Sequence, residues 1–162
     1  MDYYSNKEPR KAIAVFNELS IKGTVKFTED PYNDVVIIDI NITGLKKNFL
    51  HGFHVHETGD LSRGCESMCA HFNPFNRDHG CPGALERHVG DLGNLKTDSS
   101  GNAKYVTFDD TIKLRGICNV IGRGLVIHAD TDDCGIGKNR KESLKTGNAG
   151  KRIACAIIGI TG

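Results

Sequence analysis

"DVVIIDINIT" (34–43) alternates between apolar and polar side chains with a period of two. The apolar positions are Val36, Ile38, Ile40 and Ile42. The positions between them include Asp39, Asn41 and Thr43. Because successive side chains of a strand point to opposite faces, this period predicts a half-buried β-strand with one face towards a core.

Six other short segments have the apolar and β-branched composition of strands. They are residues 11–16, 23–29, 52–57, 103–110, 124–129 and 152–160. The chain has 19 glycines, and no long segment keeps the helical period of 3.6. The sequence therefore predicts an all-β, antiparallel sandwich or barrel. Two long segments, 58–101 and 130–151, are rich in Gly, Asn, Asp and Lys and are predicted to be functional loops.

The composition limits the class of protein. A chain of 162 residues suits one domain. A formal charge of +1, from 21 basic and 20 acidic residues, argues against nucleic-acid or membrane partners. No run approaches the ~18 apolar residues of a membrane span, and the N-terminus is polar, so a cytoplasmic location is expected. Residues 1–10 are predicted to be a disordered extension.

The segment "HGFHVHETGD" (51–60) contains three of the seven histidines. On a strand, His54 and His56 present their rings to the same face, about 7 Å apart at the backbone. This geometry suits two ligands of one metal, but a pair of surface histidines has the same pattern. The rest of the chain has to decide between the two interpretations.

The remaining histidines favour metal binding. The first long loop contains three imidazoles and a carboxylate, which make a complete tetrahedral zinc set. These residues are His71, His79, His88 and Asp91. His128 lies in the apolar segment "GLVIHA" and joins His54 and His56 as a third nitrogen donor. A fourth donor would complete a tetragonal copper site.

Residues 11–161 resemble copper/zinc superoxide dismutase. The resemblance is carried by the motifs "GFHVHETGD", "HFNP", "ERHVGDLGN", "GLVIHADTDDCG" and "KTGNAGKRIACAIIGI". It implies a Greek-key sandwich or barrel of about eight strands, an architecture for which this family is a standard example. It also implies one dismutase domain over residues 11–162 that converts superoxide to dioxygen and hydrogen peroxide, an antioxidant activity.

The resemblance assigns two metal sites. Copper is expected at His54, His56, His71 and His128. Zinc is expected at His71, His79, His88 and Asp91. His71 would bridge the metals and take part in catalysis. Asp132 would join the two sites by hydrogen bonds to His54 and His79, since such outer partners orient metal-bound rings. His51 matches a structural histidine rather than a ligand.

The same resemblance assigns roles around the metals. Arg152 is expected to be catalytic by holding superoxide close to the copper. Taken alone, an arginine at the start of a strand is more often solvated. Lys145, as a steering charge, and Thr146 are expected to lie around the cofactors.

The six cysteines are divided by the resemblance. It implies a disulfide between Cys65 and Cys155. The other four are expected to be free thiols, and they are Cys69, Cys81, Cys118 and Cys134. A mixed Cys/His zinc site or a second disulfide, such as Cys69 to Cys81, is the alternative for the first long loop.

The expected partners are superoxide and a second copy of the chain, and the resemblance also admits a copper chaperone. The segments 119–124 and 157–160 resemble the family's homodimer surface. Two rival functions are a copper-delivery module and an inactive relative that acts as a decoy or structural partner. The first would often carry a Cys-x-x-Cys motif, which is absent here, and the second should have lost a copper ligand or Arg152.

The segment "KNRKESLK" (138–145) carries a local excess of positive charge. Its basic residues are Lys138, Arg140, Lys141 and Lys145, against Glu142 alone. This excess predicts a positive field that draws superoxide towards Arg152. The alternative is a solvated loop without a role in catalysis.

Overall fold

The structure, a computed structural model, describes residues 8–162. Its elements are β1 (Lys11–Glu18), β2 (Ile21–Asp30), β3 (Val35–Thr43), β4 (Leu50–His56), β5 (Ser62–Cys65), a 3-10 turn (Glu66–Met68), β6 (Asp91–Lys96), β7 (Ala103–Asp109), β8 (Gly124–His128), α1 (Arg140–Thr146), β9 (Arg152–Ile157) and β10 (Gly159–Thr161). One sheet has the strand order β10-β1-β2-β3-β7, and the other has the order β6-β4-β8-β9. The strands of both sheets pair antiparallel.

Strand β3 has the two faces that its period predicts. It pairs with β2 on one side and with β7 on the other. Its apolar residues, at most 3% exposed, are Val36, Ile38, Ile40 and Ile42. Asp39 and Asn41, on the opposite face, are exposed. The first sheet is therefore buried on one side only.

The core fills the space between the two sheets. Phe16 and Phe27 of the first sheet join Phe53, Leu125 and Ile127 of the second in one buried cluster. Each such side chain contributes about 1.5–3 kcal/mol by leaving water. The chain crosses between the sheets after β3, β6, β7 and β9, so that β3 pairs with β7 and β4 with β8. This non-consecutive pairing is that of a Greek key, and the predicted fold class is confirmed.

The second sheet, unlike the first, is buried on both faces. Every residue of β8 is buried, and in β4 only Leu50 is exposed. Phe53 and Val55 belong to the core cluster, whereas His54 and His56 alternate with them and point the other way. The two long loops reach this outer face by hydrogen bonds, including those to His54 and His56. The sheet therefore carries a second, polar interior under the loops.

The two long loops contain more regular structure than the sequence predicts. Residues 58–101 include β5, the 3-10 turn and β6, and residues 130–151 include α1. The predicted single strand at 152–160 is also wrong, because it divides into β9 and β10, which belong to different sheets. Between β9 and β10, the backbone N–H of Ile158 donates to the carbonyl of Arg123, which precedes β8, at 2.9 Å. A continuous apolar run does not reveal such a change of sheet.

Two disulfides are present among the described residues. Cys65 is bonded to Cys155, as the resemblance implies, and this bond ties the first long loop to β9. Cys81 is bonded to Cys134, so the expectation that both are free thiols is wrong. These two cysteines lie in different long loops, and only the folding of both loops over one sheet brings them together. Cys69 and Cys118 are free thiols.

The predicted N-terminal extension is described only from residue 8. The backbone N–H of Arg10 donates to Glu29, 2.8 Å away, and Arg115 donates to the backbone carbonyl of Glu8, 3.0 Å away. The rest of the predicted disorder, over residues 1–7, lies outside the described residues. Within residues 8–162, no helix is long and apolar enough to cross a membrane.

Candidate metal centre

Four imidazoles meet on the outer face of the second sheet. His54 and His56 come from β4 and His128 from the neighbouring β8. His71 is brought beside them by a bridge between its backbone and that of His56. One ring nitrogen of each residue lies within 4.8 Å of those of the others, and all four residues are buried. This group contains the four predicted copper ligands.

In three of these rings, the nitrogen that points away from the other imidazoles forms a hydrogen bond. The Nδ1–H of His56 donates to the carbonyl of Cys69 at 2.8 Å, and the Nδ1–H of His128 donates to the carbonyl of Gly150 at 3.0 Å. Their Nε2 atoms are therefore unprotonated and face each other at 3.4 Å. His54 uses Nε2 outwards and leaves a buried Nδ1 with no hydrogen-bond partner among residues 8–162. An inward lone pair on each ring is the arrangement that a nitrogen-bound metal requires.

Three more ring nitrogens surround the carboxylate of Asp91. Its oxygens lie 3.0 Å from Nδ1 of His71, 3.0 Å from Nδ1 of His79 and 3.1 Å from Nδ1 of His88. Nδ1 of His71 and Nδ1 of His88 are 3.2 Å apart. A tetrahedron with metal–ligand bonds of about 2.0–2.1 Å has edges of about 3.3 Å, so these four donors fit one zinc ion.

The rings of His54 and His71 lie close to each other, with centroids 4.0 Å apart. As a result, a second group of potential ligand atoms lies within 4.8 Å of one another. It is formed by His54, His71, His79 and Asp91. His88 belongs to the group through its contacts with Asp91 and His71. The structure thus brings together all seven residues predicted from the sequence, with His71 common to both sets.

Asp132 lies between the two groups. Its Oδ2 accepts a hydrogen bond from Nε2 of His54 at 2.6 Å, and its Oδ1 accepts one from Nε2 of His79 at 2.8 Å. Gly147 packs directly against this pair: a Cβ there would lie 2.2 Å from Oδ1 of Asp132, and its φ is +69°. Only glycine fits this position without strain.

Burial keeps most of these imidazoles in the neutral, metal-binding form. Burial and the neighbouring His71 hold the pKa of His56 well below its usual range. Burial lowers the pKa of His128 to about 4, even though its hydrogen bond to Gly150 acts in the opposite direction. Burial, followed by the charges of His71 and His128, also holds the pKa of His54 well below its usual range.

His79 and Asp91 behave differently from the other donors. Burial lowers the pKa of His79, but its hydrogen bonds to Asp132 and Asp91 outweigh burial and raise the pKa to about 9. Burial raises the pKa of Asp91, but hydrogen bonds from His71, His79 and His88 hold that pKa well below its usual range. Asp91 is therefore an anion. Its negative charge favours the binding of a cation between the carboxylate and the Nδ1 atoms of the three histidines.

A cavity of about 740 Å³ opens onto the first group of histidines. His56, His71 and His128 form part of its lining, together with Arg152. The guanidinium of Arg152 is fixed by hydrogen bonds to the carbonyls of Cys65 at 2.8 Å and Cys69 at 2.6 Å. Its Nε also lies 3.9 Å from the carboxylate of Glu66, so residues of the first long loop hold the guanidinium at the cavity wall.

The helix α1 and the segment after it form another wall of the cavity. Lys145 and Thr146, which the sequence places around the cofactors, lie in this wall. Glu142 lies there too and accepts a hydrogen bond from the Thr146 hydroxyl at 2.7 Å. Lys151 also lines the cavity and was not singled out from the sequence, although it precedes Arg152 in the same motif. The other basic residues of 138–145 do not line it.

His51 lies outside both groups. Its ring is buried, and Nδ1–H donates to the carbonyl of His128 at 2.8 Å. This bond fixes the backbone of β8 at its last residue, next to the cavity.

Comparisons with known proteins point to one family. A family model described as copper/zinc superoxide dismutase (SODC) matches residues 21–158. A superoxide dismutase [Cu-Zn] of Paramecium bursaria Chlorella virus 1 is 60% identical over 152 residues, which cover 94% of this chain and 79% of that protein. A superoxide dismutase [Cu-Zn] of Talaromyces marneffei is 53% identical over 152 residues, which cover 93% of this chain and 98% of that protein. A crystal structure described as the clock protein EA4 aligns with a TM-score of 0.90 and 44% identity, covering 99% of this chain and 100% of that one.

Replacing Asp132 by alanine is expected to weaken metal binding by about 10–100-fold, because the rings of His54 and His79 lose the acceptor that orients them. The measurement is metal content after dialysis against a graded series of chelator concentrations. Asp130→Ala is the matched control, since this carboxylate is exposed two residues away. Equal retention of metal by the two variants would contradict the role given to Asp132.

Proposed function

The chain belongs to the copper/zinc superoxide dismutase family, and from that premise we propose how its two groups of histidines act. The reaction is the disproportionation of superoxide, with copper and zinc as cofactors. Two superoxide anions and two protons become one dioxygen and one hydrogen peroxide. The observation that carries the proposal is the position of His71: it belongs to the group of four imidazoles, and its Nδ1 lies 3.0 Å from Asp91 and 3.2 Å from Nδ1 of His88.

The ligands divide into two sets. Copper is held by His54, His56, His71 and His128. Zinc is held by His71, His79, His88 and Asp91. When bound, copper supplies the one-electron chemistry, and zinc, which has no redox chemistry, orders the first long loop. The buried Nδ1 of His54, which has no hydrogen-bond partner among residues 8–162, supports this division, because a buried nitrogen without a partner is costly unless a cation occupies the space beside it.

Arg152 and His71 are the catalytic residues in this proposal. Arg152 carries a fixed positive charge at the wall of the cavity that contains the copper ligands, so it binds and orients the substrate anion. Nδ1 of His71 faces Asp91 at 3.0 Å, which leaves Nε2 on the side of the other imidazoles. From this position, Nε2 of His71 can hold a proton and deliver it to the anion that is reduced.

Replacing His71 by alanine is expected to impair both metal sites, whereas His88→Ala should impair only zinc binding. The reason is that His71 alone belongs to both sets of ligands. Copper and zinc contents are measured separately on the same samples, together with superoxide decay. Full zinc content in the His71 variant, or loss of copper from the His88 variant comparable with its loss of zinc, would refute the division of ligands. Absence of superoxide decay in the fully metallated wild type would refute the function.

We infer that fewer basic residues steer superoxide than the excess of positive charge in residues 138–145 predicts. Lys145 and Lys151 line the cavity with Arg152, whereas Lys138 is not among the lining residues. Charges in a cleft can raise association rates by about 10–10³-fold, and superoxide dismutase is a standard example of this effect. Salt screens charges beyond about 8 Å at physiological ionic strength, so near charges should dominate.

The expected order of activity loss is Arg152→Glu first, Lys145→Glu second and Lys138→Glu last. The second-order rate of superoxide decay is measured by pulse radiolysis across a salt series, with copper content verified for each variant. Higher ionic strength should slow the wild type and reduce the difference between it and the Lys145 variant. A wild-type rate that is independent of salt would remove steering and leave the metal assignment intact.

A homodimer is proposed through residues 119–124 and 157–160. Its support comes from two apolar side chains of the second segment, since Ile157 is 44% exposed and Ile160 is 66% exposed, whereas Val120 of the first segment is buried. Arg123 does not interrupt this surface, because its guanidinium stacks 3.7 Å from the ring centre of Phe72. A cytoplasmic location and loading by a copper chaperone stay predictions from the sequence.

Sedimentation at micromolar concentration should give twice the 17.7 kDa mass of one chain. Ile160→Glu is expected to shift the equilibrium towards monomer, because it places a charge in an apolar contact. Ile136→Glu is the matched control, because Ile136 is 83% exposed on the second long loop. A monomeric wild type would refute the dimer.

A further inference from the structure

The disulfide between Cys81 and Cys134 joins the two long loops next to the zinc ligands. Cys81 follows His79 by two residues, and Cys134 follows Asp132 by two residues. His79 and Asp132 are themselves hydrogen-bonded at 2.8 Å. The disulfide and this hydrogen bond therefore run side by side between the same two short segments.

The backbone between these residues is tightly organised. Cys134 donates its N–H to Oδ1 of Asp132 at 2.7 Å, the same oxygen that accepts from His79. His79 donates its own backbone N–H to the carbonyl of Leu144 in α1 at 2.8 Å. A Cβ at Gly135 would lie 2.5 Å from the carbonyl oxygen of His79, so the two loops are in direct backbone contact there. Small movements of either loop would be transmitted to the His79–Asp132 pair.

His79 is not part of a helix or a strand that would fix its position. It lies outside the strands, between residues 74–78 and 82–86, which are all exposed. The copper ligands His54, His56 and His128, by contrast, are in the paired strands β4 and β8. A donor on an irregular segment loses more freedom when it binds a metal than a donor on a sheet, and a covalent tie reduces that cost in advance.

We propose that the Cys81–Cys134 disulfide is a positioning clamp for the zinc site, which holds His79 and Asp132 in place and so slows the release of zinc. The inference rests on the zinc ligands assigned under the proposed function. Neither sulfur is a ligand, because both are used in the bond to each other. The Cys65–Cys155 bond cannot replace it, since it ties a different part of the first long loop to β9.

The clamp predicts a selective effect. His79 belongs to the zinc set alone, so the loss of the clamp should accelerate zinc release much more than copper release. By analogy with residues that orient metal ligands from outside, the zinc affinity should fall by about 10–100-fold. Cys81→Ser and Cys134→Ser break the same bond, so the double variant should lose no more than either single variant.

The test uses the full chain with copper and zinc bound, after non-reducing peptide mapping has verified both disulfides in the wild type. The transfer of each metal to a chromogenic chelator is followed in the wild type, the two single variants, the double variant and Cys118→Ser. Cys118 is a free thiol outside both loops and is the matched control. The thermal midpoint of each metal-free protein reports any general loss of stability. The absorption spectrum of Co²⁺ placed in the zinc site reports whether the tetrahedral arrangement persists.

Faster zinc release in the three loop variants, with a changed Co²⁺ spectrum and nearly unchanged copper release, would support the clamp. Zinc release at the wild-type rate, or equal acceleration for both metals in proportion to a lower thermal midpoint, would overturn it. Additive effects of the two single variants would overturn it as well. A wild type that takes up no zinc at these ligands would instead refute the proposed function on which the clamp rests.

Discussion

The carboxylate of Asp132 connects parts of the molecule that have no strand pairing with each other. It binds His54 on β4 and His79 on the first long loop, while its own backbone lies in the second long loop. A carboxylate that is only 2% exposed is unfavourable unless its oxygens accept hydrogen bonds, and here two imidazoles and the N–H of Cys134 supply them. Sheet, loops and ligands consequently reach their native arrangement together.

The outer face of the second sheet is a polar interior, and its stability depends on what fills it. Most of its ring nitrogens have protein partners, but the buried Nδ1 of His54 has none among residues 8–162. A bound metal would provide the missing partner, so part of the metal-binding free energy would be folding free energy. The loops can therefore be long and rich in glycine without being loosely held, once the metals and the two disulfides are in place.

The sequence predicts the parts of this arrangement that repeat or that carry distinctive chemistry. The period of "DVVIIDINIT" predicts β3, and the i, i+2 spacing of His54 and His56 predicts that they share a face. The break at Ile158 has no such signal, because both halves of the run are equally apolar. Cys81 and Cys134 are 53 residues apart, and their pairing depends on how two irregular loops fold over one sheet. The short helix α1 is likewise stabilised by tertiary contacts, since seven residues are too few to form a helix alone.

The near neutrality of the chain shows that attraction of an anion has to come from arrangement rather than from net charge. Asp91 and Asp132 are buried behind the imidazoles, whereas Lys145, Lys151 and Arg152 line the open cavity. Two divalent ions would outweigh the two buried carboxylates, so the floor of the cavity is positive when the site is filled. Among the described residues, the charged side chains that line the cavity are three basic ones and one acidic one, Glu142, so positive charge predominates where the substrate arrives. A fixed guanidinium at the wall then acts at contact distance, where salt screens least.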